Sequence, residues 1–208
     1  MKYVTSQLLD GLYAQTEANI NKAVSEWQMI PDIQMITQPG PAQWSAAQCL
    51  EHLNSYGRYY LKEIEKAINK NEKSKSSTSF KSGWLGNYFY KIMLPQHNGI
   101  PKKKMNSPKN HQPEIQIDAA VVLNEFISQL EILGRLLTRA RNIDIAHVRV
   151  PISIAPFIKL KLGDTFLFLI AHINRHMKQA ERALQNSVTE TTILSSDKNK
   201  QQVKIFLL

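Results

Sequence analysis

The chain has little of what marks secreted and membrane proteins. It has one cysteine among 208 residues, which excludes an internal disulfide and any dependence of the fold on an oxidising compartment. No stretch approaches about 18 uninterrupted apolar residues, so we expect no transmembrane helix. The first twenty residues lack a continuous apolar segment and a small-residue cleavage site, which predicts that no secretory signal is present. These absences favour a cytoplasmic protein.

Arginine and aspartate are missing from residues 70–111. This segment holds nine lysines and one acidic residue, Glu72, so it carries +8 of the chain's net charge of +9. Pro95, Pro101 and Pro108 indicate a long connection rather than a regular element. Clustered lysine can neutralise phosphates, but the segment has no arginine and no recognised nucleic-acid motif. A solvated connection is therefore favoured over a nucleic-acid surface.

Four amphipathic stretches with a helical period predict an all-α protein, a four-helix bundle with long connections between helices 2 and 3 and between helices 3 and 4. Ser45 and Gln48 form a plausible capping box, and Asp118 is a good N-cap. The apolar stripes of the first and third helices include Val24 and Val121. The predicted helices span residues 6–27, 45–69, 118–142 and 163–186.

The segments outside these helices carry further predictions. The run WLGNYFYKIML, inside the connection of residues 70–117, predicts an extra helix lying on the bundle. PDIQMITQPGPAQW, with three prolines, predicts a loop, and the β-branched run IAHVRVPISI lies in the connection of residues 142–162. We expect one domain over residues 1–186, followed by a tail, residues 187–208, to which the sequence assigns no structure.

Three histidines lie beside the apolar stripes of two helices. His172 and His176 are four residues apart, so both project from one face of the fourth helix. His52 has the same relation to the stripe of the second helix. Such residues either bind one metal ion or are packed histidines at the edge of a core. Ile173 stands where the glutamate of a metalloprotease motif would be, which argues against proteolysis.

Two segments resemble the DinB-like (damage-inducible) superfamily of metal-binding four-helix bundles. WSAAQCLEHLN supplies Trp44, Ser45 and His52, and LGDTFLFLIAHINRHMKQAERAL supplies His172, the Arg175–His176 pair and Gln179. The order of elements over about residues 3–186 also fits, including RVPISIAPF before the last helix. The two halves together are fairly specific to the family, whereas each half alone is not.

The resemblance implies a divalent metal held by His52, His172 and His176. Three neutral imidazoles suit zinc or nickel, with iron or manganese as alternatives, and they leave coordination positions open. Related proteins include thiol transferases and YfiT-type metal-dependent hydrolases. The family therefore implies transfer of a low-molecular-weight thiol to an electrophile, or hydrolysis of a small substrate. Relatives often form dimers, so a homodimer is one of the oligomeric states that stay open.

Other polar residues make weaker candidates for a site. Gln179 and Tyr56 are candidate catalytic donors, with an interhelical hydrogen bond and a core aromatic as their ordinary interpretations. Cys49 lies three residues before His52, but its place in the core stripe favours a buried structural thiol. His97, His111 and His147 fall in connections and are expected to be solvated.

Three classes of function stay open on the sequence. The first is a metal-dependent enzyme that acts on a small thiol or another small substrate. The second is a non-catalytic helical-bundle interaction protein with a vestigial metal site. The third is nucleic-acid binding through the lysine-rich connection of residues 70–111. Metal content distinguishes the first two, and the salt dependence of binding would reveal the third.

Overall fold

The computed structural model of the protein describes residues 1–73, 75–95 and 106–205, with side chains described as far as residue 186. In these residues the chain forms six α-helices, two short 3-10 turns and two antiparallel pairs of strands. The elements are β1 (Lys2–Val4), α1 (Thr5–Ser25), a 3-10 turn (Trp27–Met29), α2 (Asp32–Ile36), α3 (Ala46–Lys70), β2 (Ser79–Lys81), α4 (Trp84–Met93), a 3-10 turn (Lys109–His111), α5 (Ala119–Ala140), β3 (Arg149–Ile152), β4 (Ala155–Lys161) and α6 (Leu162–Ile205).

The four long helices share one hydrophobic core. Helices α1 and α3 each pack against both α5 and α6. Phe126 and Phe166 are among the largest fully buried side chains of this core. Removing this apolar surface from water is the main driving force for folding. The expectation of a predominantly helical protein is confirmed. No helix in the described part of the chain is long and apolar enough to cross a lipid bilayer.

Local sequence explains where α3 and α5 begin. The Ser45 hydroxyl accepts a hydrogen bond from the Gln48 backbone N–H at 3.2 Å, and the Gln48 side chain accepts one from the Ser45 N–H at 3.0 Å. Asp118 Oδ1 accepts from the Val121 N–H at 3.0 Å. These bonds satisfy N–H groups that the first turn of a helix leaves without partners, and both predicted caps are confirmed.

The extra helix predicted from WLGNYFYKIML is α4, and it packs against α6. Asp164, which is fully buried in the first turn of α6, joins the two helices. Its carboxylate accepts hydrogen bonds from the Ser82 hydroxyl and, at 3.0 Å, from the backbone N–H of Gly83, the N-cap of α4. A negative charge at a helix N-terminus is stabilising, so this carboxylate fixes the start of α4 on α6.

Several expectations about secondary structure need correction. The loop predicted from PDIQMITQPGPAQW contains the short helix α2, which buried Met35 anchors to the core. Strand β1 pairs with β2, about 77 residues further along the chain, with Tyr3 opposite Phe80. The β-branched run between α5 and α6 contains β3, which forms a hairpin with β4 directly after it. Helix α6 continues through the tail as far as Ile205. Strand pairing between distant or short segments leaves little periodicity in the sequence.

Two predicted core residues are exposed. Val24, near the end of α1, and Val121, in the first turn of α5, both face solvent, whereas Ala23 and Val122 beside them are buried. An apolar stripe in the sequence defines the buried face of a helix only to within about one residue, which corresponds to roughly 100° of rotation about the helix axis. The neighbouring helices decide which of two adjacent residues is covered.

Candidate metal centre

The three histidines singled out in the sequence meet between α3 and α6. His52 comes from α3, and His172 and His176 come from two successive turns of α6. One ring nitrogen from each histidine lies within 4.8 Å of those of the other two. Nε2 of His52 is 3.1 Å from Nε2 of His172. Packing of α3 on α6 thus brings together residues 120 positions apart, in an arrangement that could hold one metal ion.

Burial keeps these three imidazoles neutral. Their exposed fractions are 3% for His52, 2% for His172 and 9% for His176. Loss of hydration lowers the pKa of His52 to about 4 and that of His176 to about 3. The pKa of His172 is lowered well below its ordinary value, by burial first and then by the neighbouring histidines. Neutral imidazole is the form that binds metal, so protons compete little for the site at pH 7.

A backbone carbonyl fixes the orientation of the His52 ring. Nδ1 of His52 lies 2.6 Å from the carbonyl oxygen of His111. A carbonyl only accepts hydrogen bonds, so the neutral ring must carry its proton on Nδ1. Nε2 then has a free lone pair and faces His172. Metal-binding histidines characteristically donate their second ring N–H to such a partner.

His111 belongs to this centre, although the sequence predicted a solvated residue. It is 4% exposed, and its ring stacks on Tyr56 with centroids 3.8 Å apart. Its Nδ1 is 2.9 Å from the Ser55 hydroxyl and its Nε2 is 2.9 Å from the Ser153 hydroxyl. Burial lowers its pKa. The connection folds back onto α3 and the β3–β4 hairpin, and no local periodicity in the sequence signals this.

His147, the other connection histidine among the described residues, does not reach the centre. His147 has a side chain that is 83% exposed, and its Nδ1 lies 2.8 Å from Asp144, which confirms the solvated prediction. His97 lies outside the described residues.

Buried nitrogen atoms without partners fit a bound ion. Nδ1 of His172 and Nδ1 of His176 are buried with no hydrogen-bond partner among the described residues. Buried polar atoms nearly always have a partner, so two orphaned ring nitrogens within one cluster need an explanation. A soft or borderline divalent cation suits a set of neutral imidazoles. The residues present therefore fit the metal that the sequence predicted.

Aromatic rings surround the histidines. The Trp44 ring lies 5.0 Å from that of His52 and 6.0 Å from that of His176, measured between centroids. Phe168 stacks on His172 at 5.7 Å, and Tyr56 lies 4.5 Å from the same ring. These apolar faces keep the local dielectric low, which strengthens electrostatic interactions at the centre.

The weaker candidates take definite positions. Tyr56 lies against the centre, and burial raises its pKa to about 12, so its hydroxyl stays protonated. The His176 ring donates a hydrogen bond to the Gln179 side chain, which partly opposes the lowering of the His176 pKa. Cys49 is fully buried, and burial raises its pKa to about 12, which agrees with a structural thiol. Catalytic roles for Tyr56 and Gln179 stay predictions.

Comparison with known families agrees with this geometry. The family model of the DinB superfamily matches residues 12–180. The chain belongs to the DinB superfamily. The matched region contains His52, His172 and His176, together with Trp44 and His111. No curated protein sequence and no solved structure is significantly similar to the chain.

Proposed function

We propose that this DinB superfamily protein is a divalent-metal-dependent enzyme whose four long helices are the core bundle of the family. Its reaction is transfer of a low-molecular-weight thiol to an electrophile, or hydrolysis of a small substrate. The observation that carries the proposal is the convergence of three buried, neutral histidines from α3 and α6. The fixed proton on Nδ1 of His52 supports it further.

The residues of the centre have distinct tasks in this proposal. His52, His172 and His176 hold a divalent ion, with zinc or nickel ahead of iron or manganese. A divalent ion in such a site acidifies a thiol or a water molecule, which is what both candidate reactions require. The His111 carbonyl orients His52. Tyr56, whose hydroxyl stays protonated, and Gln179, beside His176, are the candidate donors to substrate.

The choice between the two reactions rests on family analogy. Both need an acidified nucleophile within an apolar enclosure, and the rings of Trp44, Tyr56 and Phe168 provide such an enclosure for either. We place thiol transfer ahead of hydrolysis because DinB-like relatives include thiol transferases. A cytoplasmic location and a homodimer complete the proposal.

Elemental analysis tests the metal site directly. The protein is purified without chelators and without an affinity tag, beside the double variant His172→Ala/His176→Ala. A third sample, His147→Ala, removes an exposed histidine outside the centre. We expect about one metal ion per chain in the wild type and in His147→Ala, and loss of metal from the double variant. A wild type that is empty and cannot be reloaded with zinc, nickel or manganese would overturn the proposal.

Activity assays on the metal-loaded protein then separate the functional classes. Thiol consumption with an electrophile, or hydrolysis of small esters and amides, should depend on the bound metal and disappear in the double variant. A loaded protein inactive in both assays would favour the non-catalytic interaction protein. Nucleic-acid binding would show a steep fall in affinity with salt. Of the four lysines near the end of that connection, Lys109 lies in the described 3-10 turn, and Lys102, Lys103 and Lys104 lie outside the described residues.

A further inference from the structure

A second concave surface lies away from the three histidines. It is a groove of about 690 Å³ bounded by α1, the end of α4 and one side of α6, and none of the three histidines lines it. Its apolar part includes the buried side chains of Leu12, Ile170 and Met177. A volume of roughly 300–1,000 Å³ with a mostly apolar lining is typical of small-molecule sites. We call this surface the α1–α6 groove.

Hydrogen bonds between side chains fix the spacing of the two helices at the groove. Asn19 on α1 donates to Asn174 on α6 at 2.8 Å, and Asn174 donates in turn to Gln15 on α1 at 2.9 Å. All three residues line the groove. Because these amides bond to each other directly, they fix the distance between α1 and α6 along the groove. A preformed site avoids the entropy loss of ordering its walls when a ligand binds.

The charge of the groove is strongly one-sided. Its described lining residues include five cationic side chains and one carboxylate, Glu181. Glu181 is within 2.9 Å of Lys22, so these two charges offset each other. The remaining cations are Lys2, Arg175, Lys178 and Arg182. Arg175 also donates to the Ile92 carbonyl of α4 at 3.0 Å, which holds its guanidinium beside the end of α4.

We propose that the α1–α6 groove binds a small amphipathic anion. The apolar body of the ligand lies on the floor formed by Leu12, Ile170 and Met177, and its carboxylate, sulfonate or phosphate lies among the cations. Lys178 and Arg182 are one turn apart on α6, so both can approach one anionic head group. Charges of one sign around a low-dielectric cleft attract ligands of opposite sign. This site is separate from the metal centre and does not depend on the enzymatic proposal.

A pair of fluorescent probes with the same aromatic body tests the proposal. 1-Anilinonaphthalene-8-sulfonate carries a sulfonate, and N-phenyl-1-naphthylamine lacks it. Titrated against the full chain, the sulfonate should bind once per protein and about tenfold more tightly than the uncharged probe. Lys178→Glu/Arg182→Glu should remove this preference, lowering affinity for the sulfonate about tenfold and leaving the uncharged probe unchanged. Lys62→Glu/Lys70→Glu, which reverses two exposed charges on α3 outside the groove, is the matched control.

Gly11 allows the groove to be filled without disturbing the core. It lines the groove on α1, and a Cβ placed there meets no other heavy atom within 4 Å. Leucine also has a higher helix propensity than glycine, so Gly11→Leu should keep or raise the melting temperature. We expect this variant to lose binding of both probes.

The outcomes separate clearly. The proposal is supported if binding is saturable and Gly11→Leu abolishes it. Charge reversal should then weaken binding of the sulfonate and leave binding of the uncharged probe unchanged. A wild type that binds neither probe overturns it, as does binding that Gly11→Leu leaves intact. Equal affinity for the two probes would leave an apolar site without anion selectivity, which also contradicts the proposal. His172→Ala/His176→Ala should bind the probes as the wild type does, so the result is independent of the metal centre.

Discussion

Acid should destabilise the metal-free protein through its buried histidines. Folding lowers the pKa of His52 to about 4 and that of His176 to about 3, in both cases mainly by burial. The same groups in the unfolded chain have a pKa of about 6.5. As the pH falls below about 6.5, the unfolded chain takes up protons that the folded state excludes. The free energy of unfolding therefore decreases as the pH falls, until the folded-state pKa values are reached.

The magnitude follows from these pKa values. Between pH 7.5 and 5.0, each of the two histidines removes about 2 kcal/mol of stability, because the slope approaches roughly 1.4 kcal/mol per pH unit below the unfolded-state pKa. His172 and His111, whose pKa values burial also lowers, act in the same direction. A combined loss of about 4 kcal/mol or more is a large part of the roughly 5–15 kcal/mol of a typical domain. Urea unfolding followed by circular dichroism, with chelator present, measures it between pH 7.5 and 5.0.

Two variants identify the source of the acid effect. His176→Gln replaces a buried titratable group with a neutral one. Between pH 7.5 and 5.0 its free energy of unfolding should therefore fall by about 2 kcal/mol less than that of the wild type. His147→Gln changes an exposed histidine and should follow the wild type. If His176→Gln and the wild type lost the same free energy between pH 7.5 and 5.0, the argument from burial would be refuted.

Three other contacts can be tested by substitution or labelling. His111→Phe keeps the backbone carbonyl that orients His52 but loses the two serine hydrogen bonds that hold His111 in place. Zinc affinity measured by chelator competition should therefore fall about tenfold, and an unchanged affinity would show that these serine bonds do not position the carbonyl. Gly86→Ala places a Cβ into the Asp164 side chain, so the free energy of unfolding, measured by urea denaturation, should fall by about 1–3 kcal/mol. Gly11→Ala, where the added Cβ meets no other atom within 4 Å, is the control and should not lower it. Cys49, with a pKa raised to about 12 by burial, should react with Ellman's reagent only after denaturation; rapid reaction of the native protein would show that the thiol is accessible.

Much of the helical framework and the candidate ligand set could be predicted from the sequence, because the signals are local. The hydrogen bonds between Ser45 and Gln48 and the cap at Asp118 arise within four residues of chain. The spacing of His172 and His176 places both on one face of α6 whatever packs against it. Periodicity also placed His52 beside the stripe of its helix, and the resemblance to the DinB-like superfamily, which the family match supports, joined the three histidines into one ligand set.

His111 shows why other features were missed. It lies in a proline-containing connection, where no period indicates burial, and the segment was interpreted from its charge. The bonds that bury it come from Ser55 and Ser153, distant in sequence on both sides. Asp164 is a similar case, because it looks like the start of its own helix and instead bonds the first residues of α4. Polar side chains have several acceptable partners, and the fold selects among them.

The sequence by itself determined the helical class of the protein, the starts of two long helices and the three residues proposed to bind metal. The helical class and the helix starts depend on periodicity and capping over a few turns, and the ligand set depends on the spacing of His172 and His176 together with the family resemblance. Only the tertiary structure decided that the three imidazoles are buried together, that the His111 carbonyl sets the tautomer of His52, and that cationic side chains line a groove beside α1 and α6. These features depend on which segments pack against each other across more than fifty residues, and local sequence does not record that choice.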